Sequence, residues 1–159
     1  MFNELDIFKA QSRALRAYLE LHERLSLKHG HCLHAISAVY GYRDWNVACA
    51  LFRVSPANQE THLRSHSELD GQVARLYTYL SIRHGLRLQD GAGAIAAIRR
   101  EGLGEQARQL FGDKMIAANW LRQPHPELGR KPPQDVVETD TGRARIQHLL
   151  EQMRHGVAA

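Results

Sequence analysis

The sequence lacks long apolar runs, has only two cysteines and carries little excess charge of either sign. No stretch approaches the roughly 18 uninterrupted apolar residues of a membrane span. Residues 1–6 carry acids where a secretion signal would place bases before an apolar run. Cys32 and Cys49 are too few for a disulfide framework. We therefore expect a cytoplasmic protein with reduced thiols and no contact with a membrane.

The chemical motifs of common enzyme classes are also absent. There is no G-x-S-x-G, no H-E-x-x-H and no Walker loop. The ten histidines accompany no C-x-x-C pair, and they are scattered widely enough for chance clustering. The sequence therefore predicts neither catalysis nor a metal site nor a cofactor. The net charge of +4, from 21 Lys and Arg against 17 Asp and Glu, permits contact with nucleic acid but does not require it.

Hydrophobic residues recur at helical spacing along nearly the whole chain of 159 residues, and no useful run alternates with period two. The pattern predicts an all-α protein whose first helix runs from residue 3 to about 24. Residues 55–70 are polar and weakly patterned, which is typical of a linker. We predict an N-terminal helical domain over 1–55, a linker over 56–70 and a small helical domain over 71–159.

The N-terminal domain contains a helix, a tight turn and a second helix, the order found in helix-turn-helix proteins. Under that interpretation Arg43, Asn46 and Arg53 would face DNA. The alternative is a plain helical hairpin with Trp45 and Phe52 in its core. The Gly-Tyr-x-Asp-Trp-Asn pattern at residues 41–46 also resembles a short helical segment found beside glyoxalase-like domains, which implies no role in DNA binding.

The C-terminal third carries the most specific pattern. It has a Trp-Leu helix, a Pro-x-Leu-Gly-x-x-Pro loop, a helix start with acid and glycine, and a helix ending in Leu-Leu and a later glycine. These motifs occupy residues 110–114, 118–121, 124–132, 139–142 and 149–157. Over residues 104–159 the chain resembles the toxin-binding domain of the Xre/MbcA/ParS antitoxin family. It departs from that family in its single Gly129 and in residues 1–55, which do not match an Xre-like DNA-binding domain.

The resemblance implies the antitoxin of a type II toxin–antitoxin pair, with no chemistry of its own. Its partner would be a RES-domain toxin that degrades NAD or transfers its ADP-ribosyl group, and the antitoxin would occlude the toxin's active site. The long N-terminal amphipathic helix offers a surface for a homodimer or a larger complex with the toxin. The alternative is a DNA-binding transcriptional regulator that represses its own operon by binding operator DNA.

We predict that the C-terminal domain contacts the toxin through its loop, its Trp-Leu helix and the end of its last helix. Gly156 should stop that helix. The short apolar tail beyond it has no packing role evident from the sequence, so it is free to enter the toxin's active site, with its terminal carboxylate facing basic groups there. The predicted contact residues are Trp120, Leu128, Arg130, Lys131, Arg154, His155, Gly156, Val157, Ala158 and Ala159.

Overall fold

The computed structural model describes residues 2–156. This part of the chain contains nine α-helices and no β-strand, which confirms the predicted all-α fold. A π-helical turn, Leu19–Glu23, follows the first helix, and a 3-10 turn, Pro126–Leu128, follows the seventh. The helices are α1 Glu4–Tyr18, α2 His29–Val39, α3 Trp45–Val54, α4 Pro56–Ser65, α5 Leu69–His84, α6 Gly91–Phe111, α7 Lys114–Arg122, α8 Pro133–Val136 and α9 Asp140–Arg154. No helix within residues 2–156 is both long and apolar enough to cross a bilayer.

Local signals in the sequence account for several helix starts. The Asp44 carboxylate accepts a hydrogen bond from the Val47 amide at 2.9 Å and caps α3. The Asp113 carboxylate caps α7 in the same way, accepting from the amides of Met115 and Ile116. Thr139 caps α9 at the predicted start of the last helix.

Two hydrophobic cores share the long helix α6. The first half of α6 packs with α1 to α5, where Ile95 and Ile98 join Phe8 in one cluster. The second half packs with α7 to α9, where Leu103 meets Ile146 in a second cluster. The start of α1 also reaches the second core. Because α6 and α1 contribute to both cores, the two parts of the protein are packed directly together.

The segment predicted to be a linker contains a helix. Pro56 occupies the first turn of α4, where its missing N–H costs no hydrogen bond. Only Gln59 and Leu63 of this helix are buried, and most of its other residues are polar, which masks the helical pattern in the sequence. Residues 56–65 are therefore helical, and the division into two domains joined by a linker over 56–70 stays a prediction.

The apolar face of α1 is buried within the chain. Ile7, Phe8 and Leu15 on that face are at most 4% exposed, and α2, α3 and α6 pack against the helix. This is the face that the sequence offered for dimerisation. Since its own chain covers it, this face is not open to a second copy in this fold, and the homodimer stays a prediction.

Candidate functional site

The loop between α7 and α8 closes on itself. The His125 amide donates to the Lys131 carbonyl at 3.2 Å, and the Arg130 amide donates to the His125 carbonyl at 3.0 Å. Gly129 and Arg130 both have left-handed backbone, with φ of +65° and +62°. The loop therefore needs only one glycine, because Arg130 adopts the left-handed conformation that a second glycine would otherwise take.

The loop turns its apolar residue inward and its cations outward. Leu128 is 3% exposed and belongs to the second core, whereas Arg130 and Lys131 are exposed. Leu128 is one of the predicted toxin contacts; in this conformation its side chain packs into the second core, and a contact with the toxin stays a prediction. Its place in the structure is that of an anchor that holds the two cations at the surface.

Trp120 is also half-buried in the second core. Its ring lies 5.7 Å from the ring of Phe111, measured between centroids, and it packs against the core cluster. Trp120 therefore orients α7 mainly by packing. Any direct contact with a partner would involve only the remaining exposed part of the ring.

The opposite side of α7 is exposed and partly apolar. Met115 is 67% exposed and Ile116 is 54% exposed. They share this side with the exposed Asn119 and Arg122, whose side chains form a hydrogen bond of 3.2 Å. We call these four residues the α7 patch. The inward side of this nine-residue helix is occupied by Ala117, which is buried, and by Trp120 and Leu121, which pack against the second core, so Met115 lies on the outer side.

The end of α9 is held by local pairs. The Arg154 guanidinium bonds the Glu151 carboxylate at 2.7 Å and lies 5.4 Å from the centre of the Phe2 ring. The exposed His155 ring lies 3.5 Å from the same carboxylate. Gly156 has φ of +70°, and its amide donates to the Met153 carbonyl. The helix ends at Arg154, in line with the predicted stop at Gly156, and Val157, Ala158 and Ala159 lie outside the described residues.

The hairpin formed by α2 and α3 has a core-facing and an outer side. Phe52 is 7% exposed and its ring packs edge-on against Phe8, with ring centroids 5.7 Å apart. The three residues predicted to face DNA, Arg43, Asn46 and Arg53, are all exposed. The same outer side also presents Leu51 and Val54, 40% and 82% exposed, so it is partly apolar. DNA contact by this hairpin stays a prediction.

Histidine rings lie against each other, but within the described residues they form no metal centre. His62 and His66 stack with ring centroids 4.1 Å apart, and the His62 ring bonds the Tyr40 carbonyl at 2.9 Å. Burial lowers the pKa of His62, and the neighbouring His66 lowers it further. Within residues 2–156, no group of three or more His, Cys, Asp or Glu side chains is arranged to hold a metal ion.

A buried arginine ties the start of α9 to α5 and α6. Arg99 is 3% exposed, and its Nη2 lies 2.8 Å from Oδ1 of Asp140. The guanidinium also donates to the carbonyls of Ser67 and Glu138. Asp140 in turn accepts a bond from the Leu69 amide at the first residue of α5. Sequence reasoning missed this pair, because 41 residues separate its members and no local pattern links them.

Comparisons with known proteins identify the two ends of the chain separately. Residues 106–156 match the family described as the antitoxin Xre/MbcA/ParS C-terminal toxin-binding domain. Residues 1–82 match the family described as glyoxalase superfamily protein, and this stretch includes the pattern at 41–46. The helices around the second core therefore form a domain of the toxin-binding class. By its first 82 residues the chain belongs to the family described as glyoxalase superfamily protein, and residues 106–156 carry the C-terminal toxin-binding domain of the Xre/MbcA/ParS antitoxins.

Two curated relatives match about a third of the chain. An antitoxin Xre of Photorhabdus laumondii is 32% identical over 56 residues, which are 35% of this chain and 38% of the relative. An antitoxin Xre of Yersinia enterocolitica is 37% identical over 54 residues, 33% of this chain and 36% of the relative. The chain thus spans little more than a third of the length of these relatives. No solved structure matches the chain.

Proposed function

We propose that this protein is the antitoxin of a type II toxin–antitoxin pair and acts in the cytoplasm. The match of residues 106–156 to a toxin-binding domain carries this proposal. In our proposal the partner is a RES-domain toxin that consumes NAD or transfers its ADP-ribosyl group. The antitoxin performs no chemistry and acts by covering the toxin's active site.

The α7 patch is the surface in this domain best suited to hold the toxin. Exposed apolar side chains such as Met115 and Ile116 lose contact with water when a partner covers them, which favours binding. Asn119 and Arg122 provide the polar rim usual around such a centre. The neighbouring loop adds the exposed cations Arg130 and Lys131, whose charge would speed the approach of an acidic surface.

We assign the occlusion of the toxin's active site to the segment that follows α9. Arg154 and His155 are fixed beside Glu151, so they define where the chain leaves the helix. In the proposed complex Gly156 directs residues 157–159 into the toxin's nucleotide pocket, with Arg154 and His155 at its rim. Affinity then comes mainly from the broad surface of the domain, and inhibition comes from the inserted segment.

Co-purification of the full chain with the RES-domain toxin encoded beside it tests the binding surface. The double variant Met115→Glu with Ile116→Glu places two charges in the α7 patch and should abolish capture of the toxin. Ile82→Glu is the matched control, because Ile82 is a similarly exposed aliphatic residue, at 75%, on α5 of the other core. Equal capture by both variants would exclude the α7 patch, and failure of the unaltered chain to capture the toxin would exclude the proposed pair.

A further inference from the structure

A cavity of about 410 Å³ lies between the two parts of the protein. Residues of α1, α4, α6 and α9 line it. Its volume falls within the range of small-molecule sites, about 300 to 1,000 Å³, and such sites favour the junction of two structural units. The cavity therefore lies between the N-terminal part and α9, the helix that leads to the proposed toxin contact.

Four charged side chains of opposite sign line this cavity without pairing. Glu4 and Glu60 come from α1 and α4, and Arg64 and Arg143 come from α4 and α9. Within residues 2–156, the ion pairs closer than 4 Å and the side-chain hydrogen bonds include none of these four groups. Arg64 is exposed and the other three side chains are half-buried, so all four charges are open to a molecule that enters the cavity.

The lining of the cavity also includes a hydrogen-bond acceptor that has no donor. Gln11 is 3% exposed, and its Nε2 donates to the Tyr40 hydroxyl at 2.8 Å, but its Oε1 has no partner among the described residues. A buried polar atom without a hydrogen bond costs free energy, about 1–3 kcal/mol. Gln11 and Glu4 stand seven residues apart on α1, so they lie on the same side of that helix.

The electrostatics of Glu4 favour a cationic group beside it. The pKa of the Glu4 carboxyl is raised to about 7, chiefly by burial and then by repulsion from Glu60, while Arg143 acts to lower it. A cationic group placed between Glu4 and Glu60 would relieve their repulsion. An anionic group on the same molecule would find Arg143 and Arg64 as its donors.

We propose that this cavity binds a small zwitterion of the free amino acid class. Its ammonium group lies between Glu4 and Glu60, and its carboxylate bonds Arg143 and Arg64. Because Arg143 belongs to α9, the bound molecule links α4 to the toxin-binding domain. This site stands independently of the proposed toxin, since it involves neither the α7 patch nor residues 155–159.

Thermal unfolding of the full chain, followed in the presence of each of the common L-amino acids at millimolar concentration, tests this proposal. A ligand that binds only the folded state raises Tm in a saturable way. We expect at least one amino acid to do so, and 1,4-diaminobutane or succinate, which carry only one sign of charge, to do so at least tenfold more weakly. If no amino acid raises Tm, or if either single-sign probe binds equally well, the proposal is wrong.

Two variants test whether the amino acid binds in this cavity. Glu60→Gln and Arg143→Gln should each weaken the affinity at least tenfold, because each removes one charge that faces the ligand. Both residues are partly exposed and outside the two cores, so the variants should fold. Arg87→Gln is the control, an exposed arginine remote from the lining, and should bind normally. Unchanged affinity in both cavity variants would overturn the assignment.

Discussion

Replacement of Asp140 by alanine should weaken the attachment of the toxin-binding domain to the rest of the protein. The Asp140 carboxylate is the only charged partner that the described residues give the Arg99 guanidinium, whose side chain is 1% exposed. It also satisfies the Leu69 amide at the start of α5. The variant leaves a buried cation and a helix-end N–H without this acceptor.

The magnitude follows from those two losses. A hydrogen bond to a charged group contributes about 1.5–3 kcal/mol, and a helix cap contributes about 1 kcal/mol. The Asp140 side chain is 51% exposed, so water screens part of the first amount. We therefore expect a loss of about 2–3 kcal/mol. For a chain of this size that corresponds to a fall in Tm of roughly 5–10 °C.

Urea and thermal unfolding of the full chain measure this loss. Asp140→Asn, which keeps an oxygen acceptor but no charge, should lose about half as much free energy of unfolding. Asp70→Ala is the matched control, an exposed carboxylate in the first turn of α5, and should change it by less than about 1 kcal/mol. If Asp140→Ala is no more destabilising than Asp70→Ala, the Arg99–Asp140 pair does not hold the two parts together.

Three further changes have defined outcomes. Glu4→Gln should flatten the pH dependence of the free energy of unfolding. Protonation of Glu4 stabilises the fold below pH 4.5, and this contribution is lost as the pH rises to about 7. Stability curves with the same slope in both proteins would refute the raised pKa of Glu4. Any binding to the protein's own promoter should weaken with salt and with Arg43→Ala plus Arg53→Ala in a mobility-shift assay. Unaltered binding by that variant would remove the α2–α3 hairpin from consideration. Deletion of residues 156–159 should leave the toxin complex largely intact but restore toxin activity and NAD loss, and full protection by the truncated chain would show that occlusion lies elsewhere.

Local signals made the helices predictable. Asp44 and Asp113 cap helices where the sequence places an acid before an apolar stripe, and their roles depend only on residues two or three positions away. The C-terminal motif likewise identified a toxin-binding domain, because several features occur in a fixed order. The helix α4 was missed because a helix that buries only two residues has almost no hydrophobic periodicity.

The candidate site was less predictable because it depends on which side of each helix faces inward. Met115 and Leu128 are both apolar, yet the first is exposed and the second is buried. The neighbours that decide this come from distant parts of the chain. The same holds for Arg99 and Asp140, and for the cavity between α4 and α9. A single sequence does not encode such contacts in any local pattern.

The proposal requires a RES-domain toxin encoded beside this chain, and growth of cells that express that toxin, with and without this chain, tests the central claim most directly. Cellular NAD should be measured in the same cultures. The account predicts growth arrest and NAD loss with the toxin alone, full rescue by the complete chain, and no rescue by the Met115→Glu, Ile116→Glu variant expressed at an equal level. Arrest that the complete chain does not relieve would contradict the assignment of this protein as the toxin's antitoxin.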